Sequence, residues 1–445
     1  MQLLDLITIF IFALGIVIMG LSFSGKGRNM KSFFAAGGAV PWAMSGLSLF
    51  MGFFSAGTFV VWGSIAYSLG WIAISIQWTM AIAGFVVGFF IAPRWHKTSA
   101  LTVAEYITRR LGVNTQKTYT YLFLFISLFT TGSFLYPVAK IVEVSTGMPL
   151  DLCILLLGGF CIVYVAAGGL WAVVSTDVLQ FIILTAAVLI VVPLSFGRVG
   201  GVVNFIESIP ATYFNLVNGE YTIGFIIAFG VYNAIFLGGN WAYVQRYASV
   251  NSQSSARKVG FLFGGLYVVS AVLWMLPPMI YRIVNPSLST IDAEGAYLMM
   301  CKEVLPAGLL GLMLSGMVFA TASSLNATLN ISSGVVTNDI FKRLFPQSSD
   351  KTLMRVARIS TIIFGLLAII VALLIPLMGG IVNVVISVAA LTGVPLYLPI
   401  IWTLFSKRQT EYSVITTTLV SLGANAFFKF ITPLWGFGFN RAEEM

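Results

Sequence analysis

Charge is what this chain has least of: Asp, Glu, Lys and Arg make up only 9% of its 445 residues, against about a quarter in soluble domains. A water-facing surface cannot be built from so few ionic groups. Histidine occurs once, at His96 in a basic loop, where solvation accounts for it. Cysteine occurs three times, with Cys153 and Cys161 in one apolar segment and Cys301 read as alone in a loop. An odd count without metal-type spacing excludes a disulfide framework and a zinc site. No Ser-His-Asp set, phosphate-binding loop or metal-ligand motif is present, which argues against enzymatic chemistry and against an ATP-driven pump.

What the chain has instead is apolar surface, 58% of its residues, arranged in runs of bilayer length from end to end. Breaks at charged or Gly/Pro-rich points divide it into twelve expected helices: 3 to 21, 42 to 69, 71 to 93, 118 to 145, 150 to 168, 172 to 195, 223 to 246, 257 to 284, 306 to 343, 354 to 377, 381 to 405 and 411 to 432. The first run lacks a basic n-region, contains Asp5, and leads into Lys26, Arg28 and Lys31 with no small-residue cleavage site, so it reads as a retained span. The fold expected is an all-α polytopic membrane protein in a single domain, 1 to 445.

The net charge of +9 raises nucleic acid as a partner, and the placement of the charges rejects it. With loops assigned alternately to two sides, Lys26, Arg28, Lys31, Arg94, Lys97, Arg109, Arg110, Lys117, Arg246, Arg257, Lys258, Lys342, Arg343, Lys351, Arg355, Arg358, Lys407 and Arg408 fall together. That side is expected to be cytoplasmic, which puts the N-terminus outside. Arg246, closing the seventh helix, reads most simply as a topology anchor.

Two expected helices carry helix-weakening residues at mid-length. The second holds Gly46, Gly52, Gly57 and Gly63 around Phe53-Phe54-Ser55-Ala56, and the seventh holds Asn233, Gly238, Gly239 and Asn240. Glycine also serves close helix packing, which is the plain alternative. The two suspects stand five helices apart, as corresponding members of two inverted five-helix repeats would, 42 to 195 and 223 to 405, with one extra helix at each end. In that architecture unwound segments near the midplane expose the carbonyls that bind solute and ion.

A bare sodium ion needs several oxygen ligands in place of its water. In the ninth helix Ala320, Ser323 and Ser324 stand at i, i+3 and i+4, so one face offers a carbonyl and two hydroxyls. Hydroxyls bonded back to the i−4 carbonyl are the alternative. Asp177 is an acid in an apolar stretch after Gly168-Gly169; it reads equally as a helix N-cap and as part of an ion site.

The segments Gly-Gly-Leu-Trp-Ala-Val-Val-Ser-Thr-Asp-Val-Leu-Gln (168 to 180), Val-Gln-Arg-Tyr (244 to 247), Ser-Ser-Leu-Asn-Ala-Thr-Leu-Asn (323 to 330), Thr-Asn-Asp-Ile (337 to 340) and Leu-Phe-Ser-Lys-Arg (404 to 408) occur in that order. In their order and spacing the chain resembles the sodium:solute symporter family, which includes sodium/glucose, sialic acid, proline and iodide transporters and has a LeuT-like fold. The resemblance implies a principal sodium site formed by the carbonyls of Met51, Phe54 and Ala320 with the hydroxyls of Ser323 and Ser324. A second sodium, present in some members, would use Asp177, Ser323 and the next turn, which here reads Asn326-Ala327 in place of hydroxyls. For the solute the resemblance points to Thr58, Gln77 and Asn233, neutral hydrogen-bonding groups, and to Phe236 where a sugar-carrying relative has an inner-gate tyrosine. In the fourth helix Thr130 and Thr131 stand where sialic acid carriers have an arginine for the carboxylate. The expected function is sodium-coupled import of a small organic solute, be it sugar, sugar acid, amino acid or carboxylate. A proton-coupled carrier and a solute-sensing membrane module are the alternatives.

Overall fold

In a computed structural model of the chain, residues 2–24, 40–100, 102–164 and 170–436 are described, together with most of their side chains. Helices account for the described residues almost throughout, with no β-strand among them. Each expected apolar segment carries helix: Leu3–Ser24, Val113–Thr146, Leu150–Tyr164, Leu170–Arg198, Gln253–Val284, Asp350–Leu374, Ile381–Thr403 and Glu411–Phe430 are the simple ones, while the third, Ile72–Val86, passes through a π-type turn Val87–Ile91 into Ala92–Lys97. The second segment is divided into Trp42–Met51, a π-type turn Thr58–Trp62 and Gly63–Leu69. The seventh is divided into Ile223–Gly239 and Trp241–Ala248, and the ninth, Leu309–Gly334, ends in a π-type turn at Val335–Phe341. By length and composition alone, six helices among the described residues are able to cross a membrane, and a seventh span forms if the bent pair counts as one.

Close helix crossings explain much of the glycine. A Cβ added to Gly84 would stand 2.8 Å from the Gly264 backbone, and one added to Gly260 would stand 2.6 Å from Gly88 Cα, so the third and eighth segments meet backbone to backbone. In a bilayer, where apolar faces gain little by leaving lipid, such small-residue contact is what holds helices together.

Three sequence expectations change. Cys301 lies in helix Ala296–Val304, fully buried, and not in a loop. Asp5 does more than mark a non-cleaved first helix: its Oδ1 accepts the backbone N–H groups of Gly308 (2.7 Å) and Gly311 (3.1 Å), satisfying free donors at the start of the ninth helix. Asp177 sits well inside helix Leu170–Arg198 and not at its N-cap position. The basic residues 26, 28 and 31, the glycines 168 and 169, and the end of the expected fifth helix lie outside the described residues.

Between the eighth and ninth helices, Glu294 is buried. Its carboxylate accepts the Tyr136 hydroxyl (2.8 Å) from the fourth helix and the Ile381 N–H (3.0 Å) that opens the eleventh. This loop is thereby fastened across the ends of two spans, and burial raises the Glu294 carboxyl above its ordinary 4.5.

Candidate ion and solute site

The second segment loses its helical ladder where glycine and two phenylalanines follow one another. Trp42–Met51 ends at Gly52, and the amides of Phe53 and Phe54 both turn back to the Phe50 carbonyl, at 2.9 and 3.0 Å. The Thr58 amide then reaches only to Ser55 (3.0 Å), a tight turn before the π-type segment begins. Inside this gap the Ala56 N–H finds its partner in another helix, the Thr321 hydroxyl at 2.9 Å. Thr321 is fully buried and donates in turn to the Met317 carbonyl at 2.9 Å. The break is therefore docked on the ninth helix one residue from Ala320.

That docking brings expected sodium-site residues toward each other. Met51 and Ser324 share a cavity wall, while within the ninth helix the Ser324 hydroxyl donates to the Ala320 carbonyl at 3.5 Å, the i−4 back-bond that was the alternative reading. The Phe54 ring stacks on Trp274 at 4.7 Å and is buried, so only the backbone of Phe54 is left for an ion. The side chains of Ser323 and Asn326 lie outside the described residues. Among those described, no group of three His, Cys, Asp or Glu could hold a metal ion, and of the residues lining this cavity only Asp177 carries a carboxylate.

The seventh segment breaks differently. Its two halves meet at 60°. Asn240 sits at the corner, where its N–H donates to Phe236 (2.9 Å), its carbonyl accepts Val244 N–H (2.9 Å) and its side chain accepts Ala242 N–H (3.0 Å). Phe236, on the first half, packs against Tyr243 and Tyr397 at 5.5 and 5.8 Å between ring centres, and all three line the cavity shared by Met51 and Ser324.

The other expected solute residues lie off that cavity wall. Thr58 is buried and donates to the Phe53 carbonyl inside the break. Asn233 is buried and donates to Thr79 at 2.8 Å, one helical stretch with Gln77. Gln77 is 3% exposed, and its amide nitrogen has no hydrogen-bond partner. A buried donor left unpaired costs about 1–3 kcal/mol, a cost that a bound acceptor would remove.

Reasoning from sequence missed a polar cluster on the same cavity. Asp177 Oδ2 accepts the Ser48 hydroxyl at 2.6 Å, Ser48 Oγ accepts Arg246 Nε at 3.0 Å, and an Arg246 terminal nitrogen stands 4.0 Å from Asp177 Oδ2. Arg246 is 9% exposed, so it is no simple surface anchor. The sequence showed the acid and the arginine only as separate oddities, one inside an apolar run and one at the end of another. Thr321 was hidden in a hydroxyl-rich run where every residue looked alike.

A helical membrane protein with a broken helix docked on a hydroxyl-bearing neighbour, and a second break in the seventh segment, defines a secondary carrier of the LeuT-like fold. The family model "Sodium:solute symporter family" matches residues 33–420, and the chain belongs to that family. The sodium/glucose cotransporter of Vibrio parahaemolyticus is 28% identical over 96% of this chain and 86% of its own length. The sodium/myo-inositol cotransporter 2 of Sus scrofa is 27% identical over 94% of this chain and 68% of its own. Among solved structures, a Na+-coupled sialic acid symporter in a substrate-bound outward-open state superposes with a TM-score of 0.78, at 21% identity, covering 96% of this chain and 92% of that one. The protein is thus a multi-pass membrane transporter that uses sodium as its co-transported ion, and not an enzyme.

Proposed function

We propose that the chain imports a small, neutral, hydrogen-bonding solute across the cell membrane by alternating access, with its N-terminus outside and sodium entering from the same side. Sodium sits between the broken second segment and the ninth helix, held by the Met51, Phe54 and Ala320 carbonyls and the Ser323 and Ser324 hydroxyls. The observation that carries this is the Ala56 to Thr321 hydrogen bond, which fixes the break against the hydroxyl-bearing helix. Solute is held by Thr58, Gln77 and Asn233, with Phe236 toward the inner cavity. These groups present amides and a hydroxyl, which suit hydroxyl or amide partners better than a formal charge.

Sodium drives the cycle by favouring one state over the other, since a ligand shifts only the equilibrium it binds unequally. One ion moving down 100 mV supplies about 2.3 kcal/mol. A tenfold gradient adds ~1.4, and the sum supports roughly 500-fold accumulation. The chain reconstituted in liposomes, screened against labelled sugars, polyols and neutral amino acids, should accumulate one class when sodium is high outside. Accumulation that follows an imposed proton gradient in sodium-free buffer would overturn this reading. In the same assay Gln77→Ala should weaken solute affinity at least fivefold (about 1 kcal/mol) while leaving sodium binding unchanged.

A further inference from the structure

At one end of the bundle, four cations gather round the short stretch of chain that follows the eleventh helix. Arg94, in Ala92–Lys97, stands over the Phe405 ring at 4.1 Å and donates to the Phe90 carbonyl at 2.5 Å. Arg110, in the loop helix Val103–Leu111, donates to the carbonyls of Ser406 (3.4 Å) and Lys407 (2.9 Å). Lys407 and Arg408 come next in the chain, both exposed. Behind them the Tyr106 and Thr403 hydroxyls share a hydrogen bond of 2.8 Å, which fixes the loop helix on the end of the eleventh.

We propose that this patch holds the headgroup of an anionic phospholipid, with its acyl chains lying on the exposed rings alongside. Basic residues at the end of a span follow from topology alone. Topology does not ask four of them to converge from three elements on one turn, where like charges repel. Among the described residues none of the four forms an ion pair; Glu105, the acid of the loop helix, is paired with Arg109. The patch is therefore short of negative charge.

Its surroundings say what kind of anion fits. Phe89, Phe90, Trp402 and Phe405 are all exposed. Trp402 stacks on Phe405 at 6.4 Å, and Phe89 packs on Phe261 of the eighth helix at 4.5 Å. Tryptophan with arginine marks the depth of lipid headgroups, so cations and apolar rings meet here where phosphate and acyl chain meet in a bilayer. Arg94 and Arg110 each spend part of a guanidinium fork on carbonyls and keep further N–H groups for phosphate oxygens. A zwitterionic lipid would bring its own ammonium into the patch, and free phosphate would leave the rings uncovered. A bound headgroup would bridge the third segment, which carries Gln77, and the eleventh helix.

Dioleoyl phosphatidylglycerol titrated into the purified, delipidated full chain in detergent should raise its melting temperature. Phosphatidylcholine with the same acyl chains, and inorganic phosphate, should not. Lys407→Gln/Arg408→Gln alters two exposed side chains and should need about thirtyfold more phosphatidylglycerol for half the effect, roughly fivefold for each charge removed. Lys342→Gln/Arg343→Gln removes as much charge elsewhere and should leave that midpoint unchanged. Equal stabilisation by phosphatidylcholine, stabilisation by phosphate alone, an unchanged midpoint in the first variant or a shifted one in the second overturns the proposal. Should the first variant fail to fold, wild type decides: its preference for phosphatidylglycerol should fade as salt rises from about 0.1 to 1 M, and a preference that persists overturns the proposal.

Discussion

The two broken segments sit in corresponding places and are broken in opposite ways. At Asn240 the chain turns through 60° within one residue, and the bonds that the helix gives up are recovered locally by the same asparagine. At Gly52 to Ala56 the gap is wider, and its amide at Ala56 is satisfied only by Thr321 from another helix. A self-satisfied corner suits a hinge, because it can move without exposing unpaired backbone. A gap that borrows its partners suits the ion site proposed above, because the neighbour that completes it comes from another helix. Helical carriers place ions at such unwound stretches for this reason.

Substitutions can break or sharpen this contrast. The largest effect is expected from Ser323→Ala with Ser324→Ala, which should raise the sodium concentration for half-maximal binding at least tenfold (about 1.4 kcal/mol); an unchanged value would remove the ion from the second segment's gap. Thr321→Val leaves the Ala56 N–H buried without an acceptor, a cost of about 1–3 kcal/mol. Sodium affinity should fall roughly fivefold with it, and Thr321→Ser should restore most of the loss. Asn240→Ala removes the corner cap, worth about 1 kcal/mol, and should lower the melting temperature in detergent while sodium half-saturation stays within about twofold. A tenfold loss of sodium affinity there would show that the corner is no mere hinge.

The smallest effect lies away from both breaks, at Glu294. Burial raises its carboxyl above 4.5, while the bonds from Tyr136 and Ile381 and the Lys140 charge draw it back. The folded chain therefore holds this proton more tightly than the unfolded one. The resulting stabilisation is complete below about pH 4.5 and is lost as pH rises through the raised value. Glu294→Gln should flatten that part of the melting temperature against pH; an unaltered slope would assign it to another group.

Apolar runs of bilayer length and glycine clusters were enough to locate the segments and both breaks, because a chain in lipid must satisfy its backbone within each span and shows plainly where it does not. Gly52 and Asn240 were visible for that reason. Asp177 was visible as an acid out of place, yet reading it as a cap overlooked that a helix opening directly after Gly168-Gly169 leaves position 177 well inside it. Arg246 was read as an anchor, since position at the end of an apolar run says nothing about what lies across the bundle.

The sequence by itself determined the membrane class, the helical segments, the places where two of them fail and the family. Only the tertiary structure decided that Thr321 holds the first break, that Asn240 closes the second, and that Ser48, Asp177 and Arg246 share one cluster. Composition and spacing act along the chain, within reach of a few helical turns. The pairing of Ala56 with Thr321, or of Asp177 with Arg246, joins residues far apart in sequence through the packing of whole helices, and no local pattern records it.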